Sequence, residues 1–388
     1  MIHLHRPKLQ KKTIKECNKV LSTNWISTGG KYIEKFENSV KKIVGKKYAV
    51  SFINCTSALQ IGLKLCGANK NTDILVPSTS FIASANSILY NNSNPFFLDV
   101  AKDLNLDVDK AIKFLDEQTF TKEKSTYSKI TKRKISCILI VHVFGSPLQK
   151  IELLKKKCIE KKIFLIEDCA ESLGSYHLNK NKKLHTGFYG DVSCFSFNGN
   201  KIITAGNGGM LCTNNKVIND RAKYLSTTAK DFAYDFTHND LGYNYRLSNI
   251  NSCIGYHEIK GLTQTVKKKS IIYNLYKKEF QNEDKIEIIN SSNSFSQSNY
   301  WLIVIKFRYK IDLKNKFMLF SKKNSFETRA VWKLLFLQKY LQRFNSSQCH
   351  SSKLHIKNCF CIPSGLDLKK KDIKKISNNI KSFLKGIN

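Results

Sequence analysis

Short, dense apolar blocks alternate with amphipathic stretches over the first 262 residues of the chain. In KYIEKFENSVKKIV (31–44), Ile33, Phe36, Val40 and Val44 recur at helical spacing and predict a helix with one apolar face. KYAVSFI (47–53) reads as a strand, and TSALQIGLKLC (56–66) as a helix that opens just after Asn54-Cys55. The same rhythm continues with a strand at 73–78, the helical SFIASANSILY and a strand at 94–100. Further strands are predicted at 136–144, 162–168, 191–197 and 208–213, with a striped helix at 150–162. Apolar strands alternating with helices predict a mainly parallel sheet covered on both faces. Ligands of such sheets sit beyond the carboxyl ends of the strands. Residues 117–134 read as an exposed, charged loop. From residue 263 the chain is more polar, with NSSNSFSQSN at 290–299 and one clear strand, WLIVIKF, at 301–307. The predicted division is a large domain over 1–262 and a smaller one over 263–388.

Composition changes this picture little. A formal charge of +35 suggests a nucleic-acid binder. The basic residues, however, are overwhelmingly lysine and are spread over the whole chain, whereas arginine is the residue suited to bidentate phosphate and base contacts. A solvated lysine-rich surface accounts for the charge, and no nucleic-acid partner is expected. Most of the twelve cysteines sit in apolar runs, among them Cys137, Cys194, Cys212 and Cys253, as reduced core cysteines do. Cys359 and Cys361 are too close for a tetrahedral metal site, and no metal is expected. The start, MIHLHRPKLQKK, lacks the apolar region of a signal peptide, and no apolar run reaches the roughly 20 residues that span a bilayer. A cytoplasmic location is expected.

Three constellations fall at predicted strand ends. Asp168 closes an apolar strand in FLIEDCAESLG. A buried carboxylate needs a partner; a protonated ring nitrogen is one, and a cap on the following turn is another. Lys201 follows a strand end in CFSFNGNKIITAGNGGM (194–210). Apolar surroundings lower a lysine pKa and free the amine as a nucleophile, and Gly206, Gly208 and Gly209 allow backbone to approach a bound ring. A solvated surface lysine is the plain alternative. Asn54-Cys55-Thr56-Ser57-Ala58 stands at a strand-to-helix junction, where amides and hydroxyls suit a single phosphate, or where Thr56 simply caps the helix.

In this order, these segments resemble the DegT/DnrJ-type sugar aminotransferases. The resemblance spans nearly the whole chain: NWISTGGKYIEKFE, PSTSFIASAN, VHVFGSP, EDCAESLGSYH, FSFNGNKIITAGNGG, LGYNYRLSNI and FETRAVWK. It implies the pyridoxal-phosphate (PLP) transferase fold of type I, an α/β large domain with a mainly parallel sheet plus a smaller C-terminal α/β domain. It implies Lys201 as the lysine that carries PLP and moves protons, Asp168 on the pyridine nitrogen and Glu171 near the 3-hydroxyl. It places Thr56, Ser57 and Ser196 on the phosphate, Phe81 on the ring face, and Asn244 on the phosphate of a partner subunit in a homodimer with shared sites. Arg246 and Arg329 are implied for the substrate's diphosphate, with Trp25 and Thr28 also on the substrate side. The lysine, where some members carry histidine, implies amino transfer.

The finer motifs are similar to those of the branch that makes 4-amino sugars for bacillosamine and legionaminic acid. The implied reaction moves an amino group from L-glutamate to C4 of a UDP-linked 4-keto-6-deoxy-N-acetylhexosamine, for surface polysaccharide or glycan biosynthesis. A GDP-perosamine synthase-like enzyme is the alternative within the class, and a non-catalytic PLP-binding protein on the same fold is the alternative outside it. Five positions depart from the family pattern: Cys55 replaces a glycine, Gln60 a histidine, and Ala330, Leu335 and Phe336 replace Pro, Pro and His.

Overall fold

The computed structural model describes residues 1–179, 182–232, 235–289 and 292–387. Positions 290–291 of the Ser/Asn-rich stretch lie outside the described residues. Its centre is a nine-stranded sheet. Seven strands run in the order Tyr48–Phe52, Gly209–Thr213, Val192–Ser196, Phe164–Asp168, Lys134–Val141, Thr72–Pro77, Asn94–Leu98. Only Gly209–Thr213 opposes the other six, pairing antiparallel on both sides. The near-continuous apolar runs follow from this: a strand in the middle of such a sheet is covered on both faces, and Ile135 to Val141 are buried without a break.

The remaining two strands correct one expectation. Residues 117–134 are not simply a loop; Thr119–Lys122 and Ser125–Ser128 form a hairpin whose second strand pairs with Lys134–Val141. Charged side chains on an edge hairpin hid its alternation, a pattern that protects sheet edges from further pairing.

The helix Lys31–Val44 buries Tyr32, Ile33, Phe36, Val40 and Val44 and stops at Gly45, whose φ of 77° is left-handed. A long helix, Leu262–Phe280, leads into a second sheet of four antiparallel strands, Ile286–Ile288, Ile303–Phe307, Cys359–Ile362 and Arg329–Ala330. Its core is aromatic: Tyr276, Phe307, Phe317 and Phe360 are fully buried. The chain crosses between the two parts. The amide of Ile2 donates to Ser325 O and that of Ser364 to Leu4 O, so the amino terminus lies on the second sheet. Residues 335–352 return to the first, where the Leu335 amide donates to Ser78 O and the Ser352 amide to Asp99 Oδ1.

Candidate active site

Parallel strands bring their carboxyl ends to one edge, where register sets Asp168 between Val141 and Cys194 and Ser196 stands two residues further along its strand. Beyond them lies a cavity of about 220 Å³. The sheet side supplies Asp168, Glu171, Ser196 and Lys201; Cys55 and Thr56 come from the helix start; Trp301, Arg329, Ala330 and Trp332 come from the second part of the chain.

Asp168 is 4 % exposed. Its Oδ2 accepts from Ser84 Oγ (2.7 Å) and its Oδ1 from the Ala170 amide (3.1 Å). Burial pushes its pKa up, against those two bonds and the charge of Lys201. Glu171 is also buried, and burial pushes it up to about 7 despite the Lys201 charge and the bond from the Phe144 amide. Lys201 Nζ lies 3.5 Å from Glu171 Oε1 and 4.1 Å from the centre of the Trp301 ring. The turn that presents it is closed by the Lys201 amide on Asn198 O (3.0 Å) and by Trp301 Nε1 on Asn200 O (2.7 Å).

Phe144 explains the aromatic wall. Its φ of 52° is left-handed, a costly state for an aromatic residue, and its amide is held on Glu171 Oε2 at 2.7 Å. Its ring stacks on Trp332 at 4.5 Å and faces Trp301 at 6.4 Å. Gly145 follows with a φ of 86°, and a Cβ there would meet Asn299 Oδ1 at 1.9 Å.

Of the expected residues, Lys201, Asp168, Glu171, Thr56, Ser196, Phe81 and Arg329 line this one cavity. Phe81 is 56 % exposed and stands at the rim. Five do not line it. The Ser57 amide is taken by the Asn54 side chain at 2.8 Å, because Asn54 rather than Thr56 caps the helix. Trp25 (63 % exposed) and Thr28 lie on the surface outside it. Asn244 is exposed, and Arg246 borders a separate hollow with its Nε buried and unpartnered.

The glycine expectation also changes. None of Gly206, Gly208 and Gly209 lines the cavity; a Cβ on Gly209 would stand 2.3 Å from Asn54 O, so that glycine lets the antiparallel strand pass the helix start. The departures separate by place. Cys55 and Ala330 line the cavity, while Gln60, Leu335 and Phe336 do not. Gln60 accepts from the Tyr245 hydroxyl (3.1 Å), and Leu335 and Phe336 pack in the core. Cys55 is not among the residues with positive φ, so its side chain adds no backbone strain.

Sequence reasoning missed Ser84, Phe144, Asn200, Trp301 and Trp332. All but Trp301 lie inside family-like segments, Ser84 in PSTSFIASAN, Phe144 in VHVFGSP, Asn200 in FSFNGNKIITAGNGG and Trp332 in FETRAVWK.

A buried group of metal-ligand type lies behind the site: His142, Glu167 and His177 hold donor atoms within 4.8 Å of one another. The Leu148 amide donates to His142 Nδ1 (3.0 Å), so the ring hydrogen is on Nε2 and donates to Glu167 Oε2 at 2.8 Å. That pair is joined by a proton, not arranged around an ion. With the amides of Gly187 and Gly190, it fixes the strand end that carries Asp168.

The cavity fits PLP. Asp168 is a buried carboxylate with two modest donors and no ion pair among the described residues, so it can take a ring N–H. Asn200 Oδ1, on the cavity wall, is buried without a partner. A lysine amine and a helix start complete the donor set. Fold and cavity together define a PLP-dependent aminotransferase.

The chain belongs to the DegT/DnrJ/EryC1/StrS aminotransferase family, whose model matches residues 7–381. Over 307 residues it is 32 % identical to GDP-perosamine synthase of Escherichia coli O157:H7, covering 78 % of this chain and 77 % of that one. It is 30 % identical to UDP-4-amino-4,6-dideoxy-N-acetyl-beta-L-altrosamine transaminase of Campylobacter jejuni, over 73 % and 70 % of the two chains. The solved aminotransferase PseC of Helicobacter pylori, involved in the biosynthesis of pseudoaminic acid, superposes with a TM-score of 0.87 over 100 % of both chains at 23 % identity. Family members use PLP and act on sugars. Among the described residues no helix is long and apolar enough to cross a membrane.

Proposed function

We propose that the protein transfers the amino group of L-glutamate to C4 of a nucleotide-linked 4-keto-6-deoxy sugar. The carrying observation is that Lys201 Nζ enters the same cavity as the buried Asp168 carboxylate, 3.5 Å from Glu171. A lysine there supports amino transfer.

Bound PLP supplies an electron sink that stabilises negative charge at the carbon losing its proton. Asp168, oriented by Ser84, would hold the ring nitrogen and keep it protonated, and Glu171 would hold the ring's oxygen substituent. Thr56, Ser196 and the helix start would hold the phosphate, with Phe81 beside the ring. Lys201 would anchor the cofactor and serve as the acid and base that moves the proton. Trp301, Phe144 and Trp332 exclude water. Arg329 takes an anionic part of the substrate. Asn244, Arg246, Trp25 and Thr28 serve the second site of a homodimer; the unpartnered Arg246 Nε supports this reading.

For the nucleotide, the similarity to GDP-perosamine synthase favours a GDP-linked acceptor. The UDP-linked 2-acetamido acceptor is the second reading, supported by the finer motifs and the Campylobacter relative. The test offers each 4-keto sugar separately with glutamate and PLP and weighs the products by mass spectrometry. An amino product from one nucleotide, absent with Lys201→Ala, is expected. PLP binding with no amino product from either acceptor would sink the proposal.

A further inference from the structure

Behind the Lys201 turn sits a second lysine, Lys269, in the Leu262–Phe280 helix, and its side chain is wholly buried. A buried ammonium without a carboxylate beside it is costly and needs a full set of acceptors. Four acceptors lie within reach of the three Lys269 Nζ hydrogens: Trp301 O (2.9 Å), Ser364 O (2.5 Å), His5 Nδ1 (2.9 Å) and, more distantly, Ser364 Oγ (3.4 Å). Among the described residues it forms no ion pair; the nearest charge acting on it is Asp367. These acceptors come from three separate stretches of chain: the amino terminus, the loop before the Ile303–Phe307 strand, and the end of the Cys359–Ile362 strand.

One of them touches Lys201: the Trp301 ring lies 4.1 Å from Lys201 Nζ, and its Nε1 holds the Asn200 carbonyl at 2.7 Å. Ser364 Oγ also donates to Trp301 O at 3.1 Å. Hydrophobic packing alone would hold the helix at a residue like leucine; it would not use an ammonium with four acceptors at this point.

We propose that Lys269 is a positioning residue: it fixes Trp301 against Lys201, and so sets the place from which Lys201 meets the cofactor. The inference rests on the reading of Lys201 as the cofactor lysine. It predicts energetic coupling between Lys269 and Trp301, because one acts through the other.

The test is a double-mutant cycle on the full chain with Lys269→Met, Trp301→Phe and the pair, read by PLP dissociation constant and by visible circular dichroism of the bound cofactor. Losing donors to buried acceptors is expected to weaken PLP binding roughly tenfold in Lys269→Met. Adding Trp301→Phe should cost little more, and amide exchange at 198–205 in the cofactor-free protein should rise. A purely structural lysine would lower the melting temperature but leave the two effects additive and the dichroism unchanged, and that result overturns the proposal. If Lys269→Met does not fold, Ser364→Ala takes its place. It should shift the dichroism in the same direction, and a wild-type spectrum and affinity would refute the idea. Wild type that never binds PLP would instead refute the reading of the site itself.

Discussion

Ser84→Ala probes the cofactor anion without touching the cofactor lysine. The Ser84 hydroxyl donates to Asp168 Oδ2 at 2.7 Å inside a fully desolvated pocket. A hydrogen bond to a charged acceptor contributes about 1.5–3 kcal/mol. Since 1.36 kcal/mol is one pKa unit or a factor of ten, PLP should bind roughly ten- to a hundredfold more weakly. The sign of the pH effect follows from the same bond. Burial already raises the Asp168 pKa, and the ionised form is the one that pairs with a protonated ring. Removing a donor that favours the ionised form raises that pKa further, so the deficit should grow as pH falls. The assay is a PLP titration followed by absorbance at pH 8 and pH 6. Ser80→Ala is the control: Ser80 Oγ lies 2.6 Å from Ser84 Oγ and contacts Phe81 O, but leaves the bond to Asp168 in place. Equal PLP affinity of wild type and Ser84→Ala at both pH values would refute the assignment of Asp168 as a hydrogen-bonded anion.

Other consequences are open to measurement. Glu171, pushed up to about 7 by burial, is neutral below that pH and charged above it; Glu171→Gln should abolish any transition near pH 7 in the absorbance of bound PLP, and an unchanged midpoint would contradict this. Burial lowers Lys269 to about 7 from its ordinary 10.5, so between those values the unfolded chain binds a proton that the folded chain lacks. Stability against urea should therefore rise with pH across that window, by at most about 1.4 kcal/mol per unit, and Lys269→Met should lack the slope. Cys55→Gly should leave PLP affinity within about threefold of wild type, because Cys55 occupies an ordinary φ; a gain of an order of magnitude would show that the thiol obstructs the phosphate.

The hydrophobic pattern alone located the sheet strands to within two or three residues, because apolar runs buried on both faces leave an unmistakable trace. It also put Asp168 and Ser196 at strand ends and Lys201 just past one, and adjacent parallel strands carry such ends to the same edge. Local signals reached no further. The 117–134 hairpin carries charge on an exposed edge, where burial imposes no period. The Ser57 amide donates to the Asn54 side chain, and Ser57 does not line the cavity, a matter of helix capping that local sequence left open between Asn54 and Thr56.

What only the tertiary structure decided is the far wall of the cavity. Trp301, Trp332 and Arg329 come to Lys201 from a hundred or more residues downstream, and behind Trp301 the Lys269 amine meets His5 from 264 residues away in the chain. The motif FETRAVWK marked Arg329 and Trp332, but Trp301, Lys269 and His5 stand outside the family-like segments, since their environment is made by the packing of the second sheet on the first. The sequence by itself singled out the lysine and the carboxylate proposed to do the chemistry, since strand ends and motif spacing are local properties. The fold determined how that lysine is held, because a buried side chain's partners are a property of the whole packed chain.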